Sequence, residues 1–215
     1  MGMVTLDLPT PAVLRGRWAA VAAICAARGR TGTCYADGER WHYDDSGGNW
    51  VELHHLGDGR VVLLGHDHEY SETYYAEAAE YFQEEETDLL AGTPDWWAPP
   101  VRQARRLEQW VGFVYGFDGT LWRRAAYDVD DGFTSVGLPA LTEERTREIL
   151  LAYSKEAPGR EAEATCEAVD ALIAADGAVD EELMTAVIGT GGWDPAAGVA
   201  AARAFREGGR NGVAP

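Results

Sequence analysis

A short turn holds the residues of this chain that are best suited to metal chemistry, in the sequence Gly65-His66-Asp67-His68-Glu69. At the end of a strand, residues two apart point to the same side, so His66 and His68 can face one site. Imidazoles and carboxylates are ligands of catalytic zinc ions, which keep one position open for a reactive water. The turn therefore predicts a divalent metal such as zinc on His66, His68 and Glu69, in a metal-dependent hydrolase that also uses His42.

The same turn has a second interpretation, in which it binds no metal. The HxHxDH pattern of metallo-β-lactamases requires aspartate and histidine at the positions that Tyr70 and Ser71 occupy here. In a polar loop, Asp67 or Glu69 would instead cap the next helix, because a carboxylate accepts hydrogen bonds from free backbone amides. The sequence leaves both interpretations open.

Negative charge is concentrated in the segment that begins at this turn. Residues 67–101 include ten acidic residues and no lysine or arginine, so they contribute −10 to a formal net charge of −18. In a helix, like charges one turn apart cost stability unless a cation or a partner relieves the repulsion. Such a segment is either a solvated face that keeps the protein soluble or a surface for a positively charged partner.

Aromatic side chains beside these carboxylates favour the binding surface. The predicted partner-binding residues, aligned by helical spacing, are Tyr74, Glu77, Glu80, Tyr81 and Glu84. Tyrosine is enriched at the energetic centres of protein interfaces, and carboxylates attract a partner of opposite charge. We therefore expect a protein-binding module without a cofactor, whose partner is a basic protein. An immunity- or antitoxin-like inhibitor of a basic bacterial protein is the type that this combination favours.

Composition restricts the remaining function classes. A net charge of −18 disfavours nucleic acid and anionic membranes, because both require a basic surface. No apolar stretch reaches the roughly 20 residues of a membrane-spanning helix, so we expect a cytoplasmic protein. The sequence contains neither a phosphate-binding GxxxxGK[ST] loop nor a GxSxG nucleophile motif. Its three cysteines form no CxxC pair, so no disulfide framework or thiolate zinc site is indicated.

The elements that must position these residues predict an α+β fold. Thr10-Pro11 begins a helix that ends near Gly29. Runs of β-branched, apolar and aromatic residues predict strands at residues 39–44, 49–56, 60–65, 109–117 and 120–126. Further helices are predicted at residues 71–90, 142–154, 160–175, 180–188 and 195–206. We expect an antiparallel β-meander sheet of about five strands with flanking helices, followed by a C-terminal helical region.

Turn residues set the predicted placement of the histidines. Gly57-Asp58-Gly59 is suited to a tight hairpin, which would bring His66 beside Trp50 and leave His54 and His55 at the opposite end. The predicted division runs between residues 1–138, the sheet region, and residues 139–215, the helical region, unless the two form one continuous domain.

Overall fold

Strands and helices follow one another in an α+β order in the computed structural model, which describes residues 2–159 and 163–207. Within these residues, seven strands form one antiparallel sheet. The strands are β1 (Met3–Leu6), β2 (Cys34–Asp37), β3 (Arg40–Asp44), β4 (Trp50–His55), β5 (Val61–His66), β6 (Phe113–Phe117) and β7 (Trp122–Ala125). Their order across the sheet is β1-β7-β6-β5-β4-β3-β2, so β2 to β7 form a meander and β1 lies at the edge beside β7.

The predicted α+β meander is confirmed, with seven strands where about five were expected. Strands β3 to β7 lie at the five predicted positions to within a few residues. The sequence analysis missed β1 and β2, which have four residues each. So short a segment contains too few alternating residues to be distinguished from a loop.

The hairpin between β4 and β5 forms as its turn residues predict. Asp58 and Gly59 have φ angles of 51° and 71°, as a tight hairpin turn requires. In the resulting register Trp50 pairs with His66, which confirms the expected placement of His66. Strand β5 is the fourth of the seven strands, and residues 61–64 are at most 2% exposed.

Four of the helices in the described residues begin at a residue whose side chain caps them. In the described part of the chain the helices are α1 (Pro11–Ala27), α2 (Glu77–Phe82), α3 (Ala98–Arg106), α4 (Glu143–Ser154), α5 (Cys166–Ala174), α6 (Glu181–Ile188) and α7 (Pro195–Glu207). Thr10, Thr142, Thr165 and Asp180 each accept a hydrogen bond from the backbone N–H three residues ahead, which satisfies a free amide of the first turn. The helix predicted at 160–175 begins at Cys166, and residues 160–162 lie outside the described residues. No helix in the described ranges is long and apolar enough to cross a membrane.

The helix predicted at residues 71–90 is wrong in extent, because α2 covers only Glu77–Phe82. Gln83 ends the helix in the left-handed conformation, with a φ of 58°, and Glu84 therefore lies beyond it. Mutual repulsion among the carboxylates of this segment disfavours a longer helix. The continuous stripe of Glu77, Glu80 and Glu84 that the sequence predicts is consequently broken.

Contacts divide the chain into two units. The first contains residues 2–8 and Tyr43–Gly137, and the second contains Pro9–His42 and the described residues from Leu138 onward. In the second unit, α1 is buried along most of its length and packs against α4, α5 and α7. The sequence-based division at residue 138 follows the order of the chain, whereas packing groups α1 with the C-terminal helices.

In the first unit, one face of the sheet forms a core with α3 and the segment that leads into it. Val62, Leu64 and Val114 of the sheet pack in one cluster with Trp97 and Val101. Glycine at position 116 makes room for the indole, because a Cβ there would lie 2.1 Å from an atom of the Trp97 ring. Val111 belongs to the same cluster, so this packing also fixes the residues that lead from α3 into β6.

Candidate functional site

Residues 74–87 form a closed loop in the first unit, with α2 inside it. The backbone N–H of Thr87 donates to the carbonyl oxygen of Tyr74 (2.9 Å), and that of Ala76 donates to a carboxylate oxygen of Glu86 (3.1 Å). Compact surface loops whose ends meet in this way often carry function. The loop presents the side chains of α2 on a base that backbone hydrogen bonds hold in place.

Four aromatic rings meet at this loop and are called the aromatic cluster below: Tyr74, Tyr81, Phe82 and Trp110. The ring centroid of Phe82 lies 5.5 Å from that of Tyr74, 5.0 Å from that of Tyr81 and 4.9 Å from that of Trp110. The centroids of Tyr81 and Trp110 are 5.4 Å apart. Rings at these separations are in contact, so they support one another and present their outer faces to solvent.

The aromatic cluster is unusually accessible for side chains of this size. Tyr81 is 71% exposed, Phe82 is 44% exposed and Trp110 is 38% exposed, while Tyr74 is half-buried. Single exposed apolar residues are common on soluble proteins, but contiguous ones mark sites of interaction. Because these three exposed rings contact one another, they form one patch and not three separate exposures.

His66 lies beside the aromatic cluster. Its imidazole meets the indole of Trp110 edge to face, with a centroid separation of 6.1 Å. Burial lowers the pKa of His66 below its usual value, although the neighbouring Asp67 opposes this effect. The imidazole is therefore neutral at pH 7 and supports Trp110 without placing a positive charge next to it.

Several carboxylates are close in sequence to Tyr81 and Phe82 of the aromatic cluster. Glu80, Glu84 and Glu85 are exposed, and the described residues provide no cation for an ion pair with any of the three. Glu77 differs, because Arg105 donates to its carboxylate from Nε (2.8 Å) and from a terminal nitrogen (2.5 Å). These hydrogen bonds lower the pKa of Glu77, so the fold supplies the cation that the local sequence lacks.

Two residues of the aromatic cluster were missed by the sequence analysis. Tyr74 and Tyr81 belong to it as predicted, while Phe82 and Trp110 were not singled out. Phe82 is adjacent to Tyr81 and could have been found as the next aromatic residue of the same segment. Trp110 was assigned to a strand at residues 109–117, but β6 begins only at Phe113, which leaves the indole outside the sheet.

The turn of the predicted metal site is organised by its aspartate. Asp67 is 1% exposed, and its Oδ1 accepts hydrogen bonds from the backbone N–H groups of Glu69 (3.0 Å) and Tyr70 (2.8 Å). The Nδ1 atom of His68 lies 2.9 Å from Oδ1 of Asn49. The carboxylate therefore caps its own turn. The next helix, α2, begins only at Glu77 and has no side-chain cap, so the predicted capping of that helix by Asp67 or Glu69 is wrong.

The three predicted metal ligands do not form a compact ligand set. His66 packs on Trp110, His68 contacts Asn49, and the carboxylate Oε1 of Glu69 lies 3.8 Å from Nε2 of His68. His42 belongs to the second unit, where it packs on Tyr35 with ring centroids 4.8 Å apart. Among residues 2–159 and 163–207, no three or more His, Cys, Asp or Glu side chains are grouped so that they could hold a metal ion. Zinc binding stays a prediction, which metal analysis of the untagged protein decides.

Comparison of the chain with protein-family models, with curated proteins and with solved structures returns no match.

Proposed function

We propose that this chain is a protein-binding module that engages a basic protein through the aromatic cluster and the carboxylates beside it. The observation that carries the proposal is the contact among the exposed rings of Tyr81, Phe82 and Trp110. Aromatic side chains provide large contact area at a low cost in conformational entropy, since each has only two rotatable side-chain bonds. Tyrosine and tryptophan are also enriched among the residues that dominate binding energy.

The chemistry of the surface favours arginine and lysine on the partner. A guanidinium group stacks on the outer face of an aromatic ring and can at the same time donate hydrogen bonds to a carboxylate. Glu80 and Glu84 flank the aromatic residues Tyr81 and Phe82 along the chain and have no cation of their own among the described residues. A partner's arginine could therefore meet both kinds of group at once.

The overall charge supports the same type of partner. A formal charge of −18 accelerates encounter with a basic protein and disfavours nucleic acid as a ligand. We further propose that the chain acts as an immunity- or antitoxin-like inhibitor, which covers the basic functional surface of a bacterial protein. In that role the aromatic cluster supplies most of the binding energy, and the carboxylates select the partner by charge.

Reversal of the charge at Glu80 and Glu84 tests this proposal. The partner is first captured from a lysate of the source organism on the immobilised full-length protein and is then purified. We expect the Glu80→Lys/Glu84→Lys variant to lower the association rate by about tenfold at low salt, because electrostatic steering is lost. The salt dependence of the rate should become flatter in the same variant, as stopped-flow or surface-plasmon measurements would show.

The control is Glu144→Lys/Glu148→Lys on α4, which changes the net charge equally and at the same four-residue spacing, and which also removes the surface ion pair of Glu148 with Arg145 (3.6 Å). It should alter the rate far less, because these residues belong neither to the aromatic cluster nor to the carboxylates beside it. If the two double variants lower the association rate equally, only the net charge of the protein matters, and the carboxylates beside the aromatic cluster have no specific role. A captured protein without a basic surface would contradict the proposal outright.

A further inference from the structure

Arginines of α3 line a pocket of about 270 Å³ together with Glu77. They are Arg102, Arg105 and Arg106. Arg102 and Arg106 are separated by one helical turn, so they lie on the same side of the helix. The volume is smaller than the roughly 300–1,000 Å³ of pockets for drug-sized ligands, so it is suited to one small charged group.

Arg105 is fixed in position within this pocket. Besides its two hydrogen bonds to Glu77, its guanidinium carbon lies 5.7 Å from the ring centroid of Tyr75. A guanidinium group has five N–H donors, and the carboxylate of Glu77 occupies only one edge of it. Arg105 therefore forms an ordered wall of the pocket, and Glu77 neutralises the positive charge of Arg105.

Arg102 and Arg106 remain uncompensated. Both are exposed, and within the described part of the chain neither makes an ion pair or a side-chain hydrogen bond. The C-terminal end of a helix favours cations nearby, which stabilises Arg106 in the last turn of α3 but leaves its donors available. The negative charge of the rest of the protein is screened beyond about 8 Å at physiological ionic strength, so two positive charges act locally in this pocket.

We propose that this pocket binds a phosphate group. A phosphate monoester carries roughly −1.5 to −2 charges at pH 7, which matches the two uncompensated guanidinium groups, whereas a single carboxylate would neutralise only one. Planar guanidinium groups also donate pairs of hydrogen bonds to phosphate oxygens. The group belongs either to a free phosphate ester or to a phosphorylated side chain of a protein.

The test is a titration of the isotope-labelled full-length protein with inorganic phosphate, followed by NMR. Chloride keeps the ionic strength constant, so that only specific binding changes the spectrum. We expect saturable shifts in the amides of α3 and in the side-chain N–H groups of its three arginines. The Arg102→Ala/Arg106→Ala variant should weaken the apparent affinity by at least about tenfold.

Two further variants keep the result independent of folding and of net charge. Arg102→Lys/Arg106→Lys preserves the charge and the helix but loses the planar donors, and it should bind more weakly than the wild type. Arg60→Ala/Arg123→Ala removes two charges of the first unit that are paired with Asp58 and Asp118, and it should bind as the wild type does. Shifts that do not saturate, or an affinity that the Arg102→Ala/Arg106→Ala variant retains, would overturn the proposal.

A parallel titration with a short phosphoserine peptide distinguishes the two sources of the phosphate. Binding at least about tenfold tighter than that of inorganic phosphate assigns the group to a modified protein, because further contacts then add affinity. Equal affinity for the two probes assigns it to a free phosphate ester. Because neither probe involves the aromatic cluster or a basic partner, this test can fail without affecting the proposed function, and the reverse also holds.

Discussion

Truncation of Trp110 to alanine is expected to weaken binding of the basic partner by about 2–4 kcal/mol, roughly 30-fold to nearly 1,000-fold in Kd. Two effects combine in this loss. The variant removes the exposed face of the indole, and it also removes the ring that supports Tyr81 (5.4 Å) and Phe82 (4.9 Å). Residues that dominate binding energy are most often Trp, Tyr and Arg at the centre of a patch.

Calorimetric titration of the captured partner measures this loss. The matched control is Leu121→Ala, because Leu121 is 42% exposed and lies at the β6–β7 turn, outside the aromatic cluster. Leu121→Ala should leave Kd unchanged, and thermal unfolding should show that both variants fold. A Trp110→Ala variant that folds and binds with the wild-type Kd would remove the aromatic cluster from the interface.

Replacement of Asp131 with alanine is expected to lower the free energy of unfolding by about 3 kcal/mol, because it leaves the buried phenol of Tyr115 and the half-buried phenol of Tyr127 without their acceptor. The hydroxyls of Tyr115 (2.6 Å) and Tyr127 (2.7 Å) both donate to Oδ2 of Asp131, and Oδ1 accepts from the backbone N–H of Phe133 (3.1 Å). Burial, reinforced by the Asp131 carboxylate, raises the pKa of both phenols far above its usual value. They therefore stay neutral donors in the folded protein.

Urea denaturation of the variant measures this stability. Asp128→Ala is the control: Asp128 is exposed and has no partner among the described residues, so the cost should stay within about 0.5 kcal/mol. In the wild type, stability from the two phenols should be present below pH 10 and fall above it, because only the unfolded chain ionises them near their ordinary pKa of about 10. Equal stability of the Asp131 and Asp128 variants would contradict this role.

Hydrogen bonds to the backbone of Asp130 and Asp131 also connect the segment of Tyr115, Tyr127 and Asp131 to the candidate site. The hydroxyl of Ser71 donates to the carbonyl oxygen of Asp131 (2.9 Å), and the backbone N–H of Glu72 donates to that of Asp130 (2.8 Å). These bonds hold the segment between the Asp67 turn and the loop at residues 74–87. We therefore expect the Asp131→Ala variant to loosen the base of that loop as well.

Local chemistry determines most of the sheet, which is why it could be predicted. A few neighbouring residues suffice to predict the conformation of the Asp58-Gly59 turn and of the apolar strand residues 61–64. The extent of α2 could not be predicted in this way, because the helical spacing from Tyr74 through Tyr81 to Glu85 favours a helix beyond Phe82. Two features outweigh that preference: the left-handed conformation of Gln83 and the hydrogen bond from Thr87 to Tyr74. Neither feature can be recognised from the helical spacing of residues in the sequence.

The candidate site shows the same limit of local patterns. Tyr81 and Glu80 were found because they lie on one short segment, and the fold kept them exposed. Trp110 and Arg105 come from the segment around the end of α3, more than twenty residues later in the sequence. Only folding brings Trp110 into contact with Phe82 and Arg105 into contact with Glu77. The segment that the sequence predicts to be a continuous acidic stripe therefore carries the aromatic cluster, and one of its carboxylates, Glu77, is neutralised.

Binding of a basic protein at the aromatic cluster is tested most directly by hydrogen–deuterium exchange of the protein, free and bound to the captured partner. We predict slower exchange on binding in peptides that cover residues 74–87 and Trp110, and unchanged exchange in α4 to α7. Protection is expected there because a bound partner excludes water from the rings and from the backbone beneath them. Protection confined to other segments, with residues 74–87 and Trp110 exchanging as in the free protein, would contradict the proposed function.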